Sequence, residues 1–190
     1  ILCAFFRYTG DAKYCVSTRV LIYLKMYSIR QATINDLETI RQIAETTWWA
    51  TYSPILEKEQ IAFMLGEIYS VEKINSQFKN NTQTYLLLTE DDRPVAFAAY
   101  SPREENPDIY KLHKIYCLPE TQGKGYGKIL INEVEKKTLE AGKHTLDLNV
   151  NRHNKAKSFY EKMGFAITYE EDIPIGPYWM NDYVMRKGLL

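Results

Sequence analysis

The chain has 190 residues, of which 45% are hydrophobic and 25% are charged. This length suits one domain with a single core rather than two large domains. Lysine plus arginine and aspartate plus glutamate both number 24, so the formal net charge is zero. A general nucleic-acid-binding protein usually carries a basic excess, so nucleic acid is not an expected partner. Three cysteines without disulfide or metal spacing predict reduced thiols, a cytoplasmic location and no metal site.

The first 25 residues differ in pattern from the rest of the chain. Charged residues interrupt the apolar ones, so the segment is neither a membrane span nor a good signal peptide, and no membrane partner is expected. A regular pattern begins at Met26. We expect residues 1–25 to be an extension, either upstream of a natural start at Met26 or a non-core arm. Residues 26–190 are expected to form the domain.

The remaining chain alternates strand and helix patterns. The first half predicts a strand at 28–31, a helix starting at a capping-box-like pair of Thr33 and Asp36, helices at 57–68 and 71–78, a hairpin of strands at 84–89 and 94–100, and a long strand at 109–118. The second half predicts a helix from Gly125 to Ala141, a strand at 145–150, a short helix capped by Asn154 and ending near Gly164, and strands near 166–171 and 180–186. This order predicts a mixed, mostly antiparallel α/β layer.

A glycine-rich loop joins the long strand to the following helix. From Gln122 it reads Gln-Gly-Lys-Gly-Tyr-Gly, with glycines at alternate positions. Such a loop brings backbone close to a ligand, and the helix start offers N–H groups to a phosphate. A Walker loop is excluded because Ile129 follows Lys128, and a dinucleotide fingerprint is excluded because the glycines alternate. The pattern that remains is Gln-x-x-Gly-x-Gly, formed by Gln122, Gly125 and Gly127.

That pattern resembles the pyrophosphate loop of the GNAT superfamily of acyl-CoA-dependent N-acetyltransferases. The chain then continues with Leu146-Asp147-Leu148-Asn149-Val150-Asn151, Asn154, Ala156, Tyr160 and Gly164-Phe165. This order is similar to the family's strand, cap, helix and tyrosine. The resemblance is close over residues 109–187 and looser over 27–101. It implies an α/β fold with a mixed, mostly antiparallel sheet flanked by helices, in which two central strands splay apart to admit acetyl-CoA as co-substrate.

The resemblance also implies which residues contact acetyl-CoA. In the family the strand before the loop bulges, its peptide groups pair with the pantetheine arm, and one N–H polarises the thioester carbonyl. The expected cofactor-binding residues are Ile115, Tyr116, Cys117, Gln122, Gly123, Lys124, Gly125, Tyr126, Gly127, Lys128, Asn154 and Tyr160. Cys117 is disfavoured as a nucleophile, because no activating group is visible and a lone cysteine is more often a small core residue.

Two residues are candidates for proton transfer. Tyr160 matches the family's tyrosine that points at the CoA sulfur, and it is the expected general acid; a core tyrosine is the alternative. His113 lies where some family members carry an ionisable residue that takes the amine proton through water. Its imidazole is expected to titrate near the working pH as a base. Strand alternation places it on one face with Lys111, Ile115 and Cys117, and a structural histidine is the alternative.

Two segments, residues 48–52 and 176–182, are expected to form the acceptor side of the cleft. Aromatic residues there would suit a cationic amine together with nearby acids, namely Glu45, Glu57, Glu59, Asp172 and Asp182. The alternative is that the aromatics pack in the core and the acids face solvent. The segment order is most similar to bacterial polyamine-type acetyltransferases. We therefore predict direct acetyl transfer from acetyl-CoA to a primary amine, a polyamine or another small cationic amine. Alternatives are acetylation of a protein N-terminus or lysine, or a non-catalytic acyl-CoA-binding module; a homodimer is left open.

Overall fold

The computed structural model describes residues 26–190, and the expected extension at 1–25 lies outside the described residues. The strands are β1 (Tyr27–Gln31), β2 (Thr84–Glu90), β3 (Arg93–Pro102), β4 (Ile109–Cys117), β5 (Thr145–Asn151), β6 (Ala166–Ile175) and β7 (Tyr178–Gly188). The α-helices are α1 (Leu37–Tyr52), α2 (Lys58–Tyr69), α3 (Val71–Lys79), α4 (Tyr126–Glu140) and α5 (Lys157–Lys162). Between residues 26 and 190, no helix is both long and apolar enough to cross a bilayer.

The strands form one seven-stranded sheet in the order β1-β2-β3-β4-β5-β7-β6. Strands β1 to β4 form an antiparallel meander. Strand β5 is parallel to β4, and β7 pairs antiparallel with both β5 and β6. The prediction of a mixed, mostly antiparallel sheet flanked by helices is therefore confirmed.

Local sequence signals explain several element boundaries. The Thr33 N–H donates to Asp36 Oδ2 at 2.8 Å, as a capping pair should, but a 3-10 turn precedes α1. Asp91 and Asp92 adopt φ angles of 49° and 64° in the two-residue turn between β2 and β3. Helix α5 begins three residues after the predicted cap at Asn154, because that side chain accepts the Ala156 N–H and forms a turn first.

Helices cover both faces of the central strands. Residues 85–88 of β2 and 95–100 of β3 are all buried, although successive side chains point to opposite faces. Helices α2 and α3 pack on one face through Tyr69 and Phe78, whose rings lie 6.1 Å from Tyr116 and 5.1 Å from Tyr85. Helix α4 packs against β2, β3, β4 and β5.

Strands β4 and β5 are paired at only one end. Their parallel pairing runs from Ile109 opposite Thr145 to Leu112 opposite Leu148. Beyond that point β4 stays with β3, and β5 stays with β7. The predicted splayed strands are therefore present. Peptide groups on the facing edges of this split are available to an extended ligand, because neither strand supplies partners for the other there.

Strand β4 contains a β-bulge at His113, just where the split begins. Lys114 pairs with Ala99 and Leu112 pairs with Tyr100, so His113 is an extra residue without a direct partner in β3. The family resemblance placed the irregularity at residues 115–117, and the structure places it earlier. The bulge turns the strand at the point where it leaves β5.

The bulge also corrects the expected strand face. The expected grouping of Ile115 and Cys117 on one face with Lys111 is wrong, because His113 is an extra residue and inverts the alternation beyond it. Lys111 and Lys114 instead share the face that α1 to α3 cover, and Ile115 points to the opposite face. Two lysines are consequently placed on the side of the sheet where an acceptor is expected.

A buried carboxylate joins the strands at the closed end of the split. Asp147 on β5 has no exposed side-chain surface and accepts Nη1 of Arg103 at 2.7 Å and Nε of Arg186 at 2.7 Å. Burial alone would raise the pKa of Asp147, but the hydrogen bonds from Arg186 and Arg103 hold it below its usual value. The ion pairs link the end of β3, β5 and β7, so they fix where the split starts.

We expect Asp147→Ala to destabilise the protein by about 3–5 kcal/mol, because it leaves two partly buried guanidinium groups without their partner. Chemical unfolding measures the difference. The matched control is Asp108→Ala, which removes an exposed carboxylate paired with Lys143 and should cost less than about 1 kcal/mol. Equal stability of the two variants would contradict a structural role for Asp147.

Candidate active site

Two cavities meet at the split between β4 and β5. The loop cavity, of about 930 Å³, is lined by the glycine loop, the end of β4 and α5. The hairpin cavity, of about 500 Å³, is lined by α1 to α3 and the β6–β7 hairpin. The residues that line both are Tyr52, His113, Lys114, Tyr116 and Asn149. Two ligands, one in each cavity, would meet at these side chains.

The glycine loop has the backbone conformation that its glycines permit. Gly123 and Gly125 have φ angles of 82° and 84°, and Gly125 caps the start of α4. Gly127 lies against α5, where an added Cβ would be 3.4 Å from the Phe159 ring. The first N–H groups of α4 have no partner within the helix, and they carry the positive end of its dipole. This arrangement can bind a pyrophosphate.

Most of the predicted cofactor-binding residues line the loop cavity; these are Ile115, Tyr116, Cys117, Gln122, Gly123, Gly127, Asn154 and Tyr160. Lys124, Gly125, Tyr126 and Lys128 are not among its lining residues. The Tyr126 hydroxyl donates to Glu90 at 2.7 Å, and Lys124 forms an ion pair with the same carboxylate at 2.9 Å. Both side chains tie the loop to β2, so their cofactor contacts stay a prediction.

Tyr160 is buried at the wall of the loop cavity. Its ring lies edge-on to Phe165, with centroids 6.2 Å apart. Burial raises the pKa of Tyr160 above its usual value, and Tyr116 and Cys117 add to the effect. The phenol therefore stays neutral and keeps its O–H group. It can donate a hydrogen bond to a nearby anion more readily than it can give up its proton.

The pKa of His113 differs from the value near the working pH that the sequence predicts. Its Nε2 atom lies 2.8 Å from the Ser101 hydroxyl oxygen. Burial, together with the charges of Lys114, Lys111 and Arg103, lowers the pKa of His113 to about 3. The expectation of titration near the working pH is therefore wrong. The imidazole is neutral at pH 7, and its conjugate acid is too strong for an effective base.

Burial also shifts two other groups at the split. It raises the pKa of the Cys117 thiol to about 11, so this thiol stays protonated and is a poor nucleophile. It lowers the pKa of Lys114 to about 7, with a smaller effect from Lys73. The Lys114 ammonium donates to Gln83 Oε1 at 2.5 Å and lies 5.2 Å from the Tyr85 ring centre. Sequence reasoning missed this lysine, because its burial depends on the bulge.

The hairpin cavity contains a buried acid, Asp182, whose side chain belongs to β7. Burial raises the pKa of Asp182 to about 6, while the Asn149 amide and the charge of Lys111 act in the opposite direction. The sequence does not distinguish Asp182 from the four other acids expected near the acceptor, and Asn149 is visible there only within the β5 motif. A signal was present in β5, where polar residues alternate at 147, 149 and 151 within an otherwise apolar strand.

Both segments expected on the acceptor side contribute to the hairpin cavity. Trp48 and Tyr52 come from α1, and Gly176, Met180 and Asp182 come from the hairpin. The Trp48 indole N–H donates to the Tyr116 hydroxyl at 3.0 Å, which fixes the aromatic wall next to the split. The cavity therefore combines aromatic faces and one buried carboxylate with three lysines, Lys73, Lys111 and Lys114.

Comparison with known proteins identifies the family. The model of the acetyltransferase (GNAT) family matches residues 39–165. A spermidine N(1)-acetyltransferase from Thermoplasma acidophilum is 31% identical over 164 residues, which cover 84% of this chain and 95% of that protein. The chain therefore belongs to the GNAT family of acetyltransferases.

Further relatives support the same activity. A ribosomal protein bS18 alanine N-acetyltransferase from Haemophilus influenzae is 34% identical over 114 residues, covering 60% of this chain and 74% of that protein. The crystal structure of the PaiA N-acetyltransferase from Thermoplasma acidophilum in complex with coenzyme A has a TM-score of 0.73 and 30% identity, covering 86% of this chain and 99% of that one. The protein is an acetyl-CoA-dependent N-acetyltransferase.

We expect Gly125→Val to weaken acetyl-CoA binding at least about tenfold, because a β-branched residue at positive φ distorts the loop, which costs about 1–2 kcal/mol. Calorimetry measures the affinity. Gly142→Val is the matched control, since Gly142 also has positive φ, at 71°, and no atom within 4 Å of an added Cβ, but lies beyond the other end of α4. A folded Gly125→Val protein with unchanged affinity would remove the loop from the site.

Proposed function

We propose that the protein transfers an acetyl group directly from acetyl-CoA to a small primary amine, with both substrates bound at the β4–β5 split. The observation that supports this most strongly is the meeting of the two cavities at the split. One cavity has the glycine loop and a free strand edge, which suit acetyl-CoA. The other has an aromatic wall and a buried acid, which suit an amine.

Acetyl-CoA would lie along the loop cavity. Its pyrophosphate would bind the N–H groups at the start of α4, and its pantetheine arm would extend along β4 beyond the bulge. Ile115, Tyr116 and Cys117 line this part of the cavity. A backbone N–H of β4 would stabilise the oxygen of the tetrahedral intermediate. The thioester carbon is then next to the residues shared by both cavities.

The reaction would proceed without an acyl-enzyme. The amine nitrogen attacks the thioester carbon, the carbon–sulfur bond breaks, and CoA leaves as a thiolate. Tyr160 would donate a hydrogen bond to the sulfur as its charge develops, which fits a phenol whose pKa is raised. A thiolate with a conjugate acid near pKa 8.5, by analogy with cysteine, needs no complete proton transfer to leave. The protonated Cys117 thiol supports direct transfer over a covalent route.

The acceptor class rests on the relatives and on the hairpin cavity. A polyamine or another small cationic amine is favoured by the 31% identical spermidine acetyltransferase. The aromatic residues Trp48 and Tyr52 and the acid Asp182 support the same class. The N-terminus of a protein is the second candidate, favoured by the alanine acetyltransferase relative. A cytoplasmic location and a homodimer stay predictions.

Tyr160→Phe keeps the ring and its packing but removes the hydroxyl. We expect kcat to fall about 100-fold, at the low end of the range for general acids, while acetyl-CoA affinity stays unchanged. A thiol-release assay with spermidine, aralkylamines, amino acids and peptides measures turnover. Tyr110→Phe is the control, because it removes a hydroxyl at the closed end of the split. Wild-type turnover in Tyr160→Phe would exclude the proposed hydrogen bond.

His113→Ala tests whether the histidine titrates during catalysis. Since burial lowers the pKa of His113 to about 3, the ring has no charge to lose between pH 5 and 8. We expect the acidic limb of the kcat/KM profile to be the same in the variant and in the wild type, with a loss well below the 10²-fold expected for a general base. His144→Ala, beyond the far end of α4, is the control. If the acidic limb disappeared in His113→Ala but not in His144→Ala, His113 would be the base.

A further inference from the structure

Two buried oxygens in the hairpin cavity have no hydrogen-bond partner. Within residues 26–190, Asn149 Oδ1 and Asp182 Oδ1 are the only buried side-chain nitrogen or oxygen atoms in this condition. Both residues line the hairpin cavity, and Asn149 also lines the loop cavity. An unpaired buried acceptor is costly, so two in one place indicate a ligand that donates hydrogen bonds.

The sheet places the two side chains next to each other. Asp182 pairs with Asn151, and Asn149 lies two residues further along β5 on the same face. The Asn149 amide nitrogen donates to Glu171 Oε2 at 2.8 Å. This bond fixes the orientation of the amide, because exchanging its nitrogen and oxygen would set an oxygen against the carboxylate. Asn149 therefore keeps its oxygen unpaired, while its amide N–H group also lowers the pKa of the nearby Asp182 carboxyl against the larger effect of burial.

We propose that Asn149 and Asp182 together bind the amino group of the acceptor, and that Asp182 takes its proton. The inference rests on the proposed function, since it assigns residues to the amine of that reaction. A primary ammonium has three N–H donors. Two N–H groups would satisfy the two unpaired oxygens, and the remaining position, which carries the lone pair once the amine is neutral, faces the thioester. Asn149, which lines both cavities, would thereby position the amine.

These groups account for every proton and electron pair that moves in the reaction. The Asp182 carboxylate accepts one proton from the ammonium or from the first tetrahedral adduct. The nitrogen lone pair forms the bond to the acetyl carbon, and the carbon–sulfur electron pair leaves with the CoA thiolate. The proton on Asp182 then passes to solvent or to the thiolate, which restores the carboxylate.

The surroundings of Asp182 suit a base at neutral pH. Lys111 and His113 face it from β4, Arg152 from the turn after β5, Glu171 from β6, and Tyr52 and Tyr116 from α1 and β4. Burial raises the pKa of Asp182 to about 6, and Glu171 adds to the rise, while the Asn149 amide, Lys111 and Arg152 oppose it. The carboxylate is thus mostly ionised above pH 6 and is a stronger base than His113.

Lys114 is the rival base, because its pKa of about 7 also fits the task. Its ammonium is already engaged with Gln83 and lies over Tyr85. Lys114 thus already has a hydrogen-bond partner and an aromatic neighbour, whereas Asp182 Oδ1 has no partner. The unpaired oxygens therefore favour Asp182.

The test compares Asp182→Asn with the wild type, using an amine that the wild type acetylates. We expect kcat/KM at pH 7.5 to fall at least about 100-fold, the lower bound for a general base, with acetyl-CoA affinity unchanged. The acidic limb of the wild-type profile, near pH 6, should disappear. Asp108→Asn, the same change at an exposed site, is the control and should keep both rate and limb.

Asn149→Ala separates positioning from proton transfer. We expect the KM for the amine to rise about tenfold, as for the loss of one hydrogen bond to a charged group, while the acidic limb stays. If Asp182→Asn fails to fold, Asn149→Ala alone tests the inference. An unchanged KM for the amine in that variant would then overturn it. An active Asp182→Asn with the wild-type limb, or a limb that disappears in Lys114→Gln instead, would also overturn it. A wild type that acetylates no amine would overturn the proposed function itself.

Discussion

The parting of β4 and β5 is the constraint on which the remaining features of the site depend. Pairing stops after Leu112 and Leu148, so two strands in the middle of a sheet end with unpaired edges. Unpaired buried peptide groups are costly, and an extended ligand can satisfy them. The bulge at His113 turns β4 away, and the ion pairs of Asp147 hold the closed end. The paired end of the two strands thus stabilises the sheet, and the unpaired end leaves peptide groups that can bind a ligand.

Burial at the split explains the protonation states found there. Desolvation favours the neutral form of every group, so it raises the pKa of Cys117 and Asp182 and lowers that of His113 and Lys114. The consequences differ with the chemistry. A thiol becomes inert and an imidazole becomes a weak base, whereas a carboxylate moves towards the pH at which a base is useful. Desolvation therefore makes Cys117 a poor nucleophile and His113 a weak base, and it brings the pKa of Asp182 closer to the range that suits a base.

The sequence predicts the local features of this fold well and the long-range ones poorly. The glycine loop, the element order and Tyr160 are readable because each depends on a few neighbouring residues. The bulge at His113 is not readable, because it depends on the register between β3 and β4, and it reverses the face on which Ile115 lies relative to Lys111. The same limit applies to Asn149 and Asp182: their types and positions are visible in the chain, but their burial and proximity arise only when β5 and β7 pair.

The central claim is that both substrates occupy the split together, one from each cavity. Initial rates measured while acetyl-CoA and the amine are both varied test this most directly. Direct transfer in a ternary complex predicts double-reciprocal lines that intersect, and no acetylated protein when acetyl-CoA is supplied without an amine. Parallel lines, together with an acetyl-enzyme detected by mass spectrometry, would contradict the account, because they would show that the acetyl group passes through a residue of the protein.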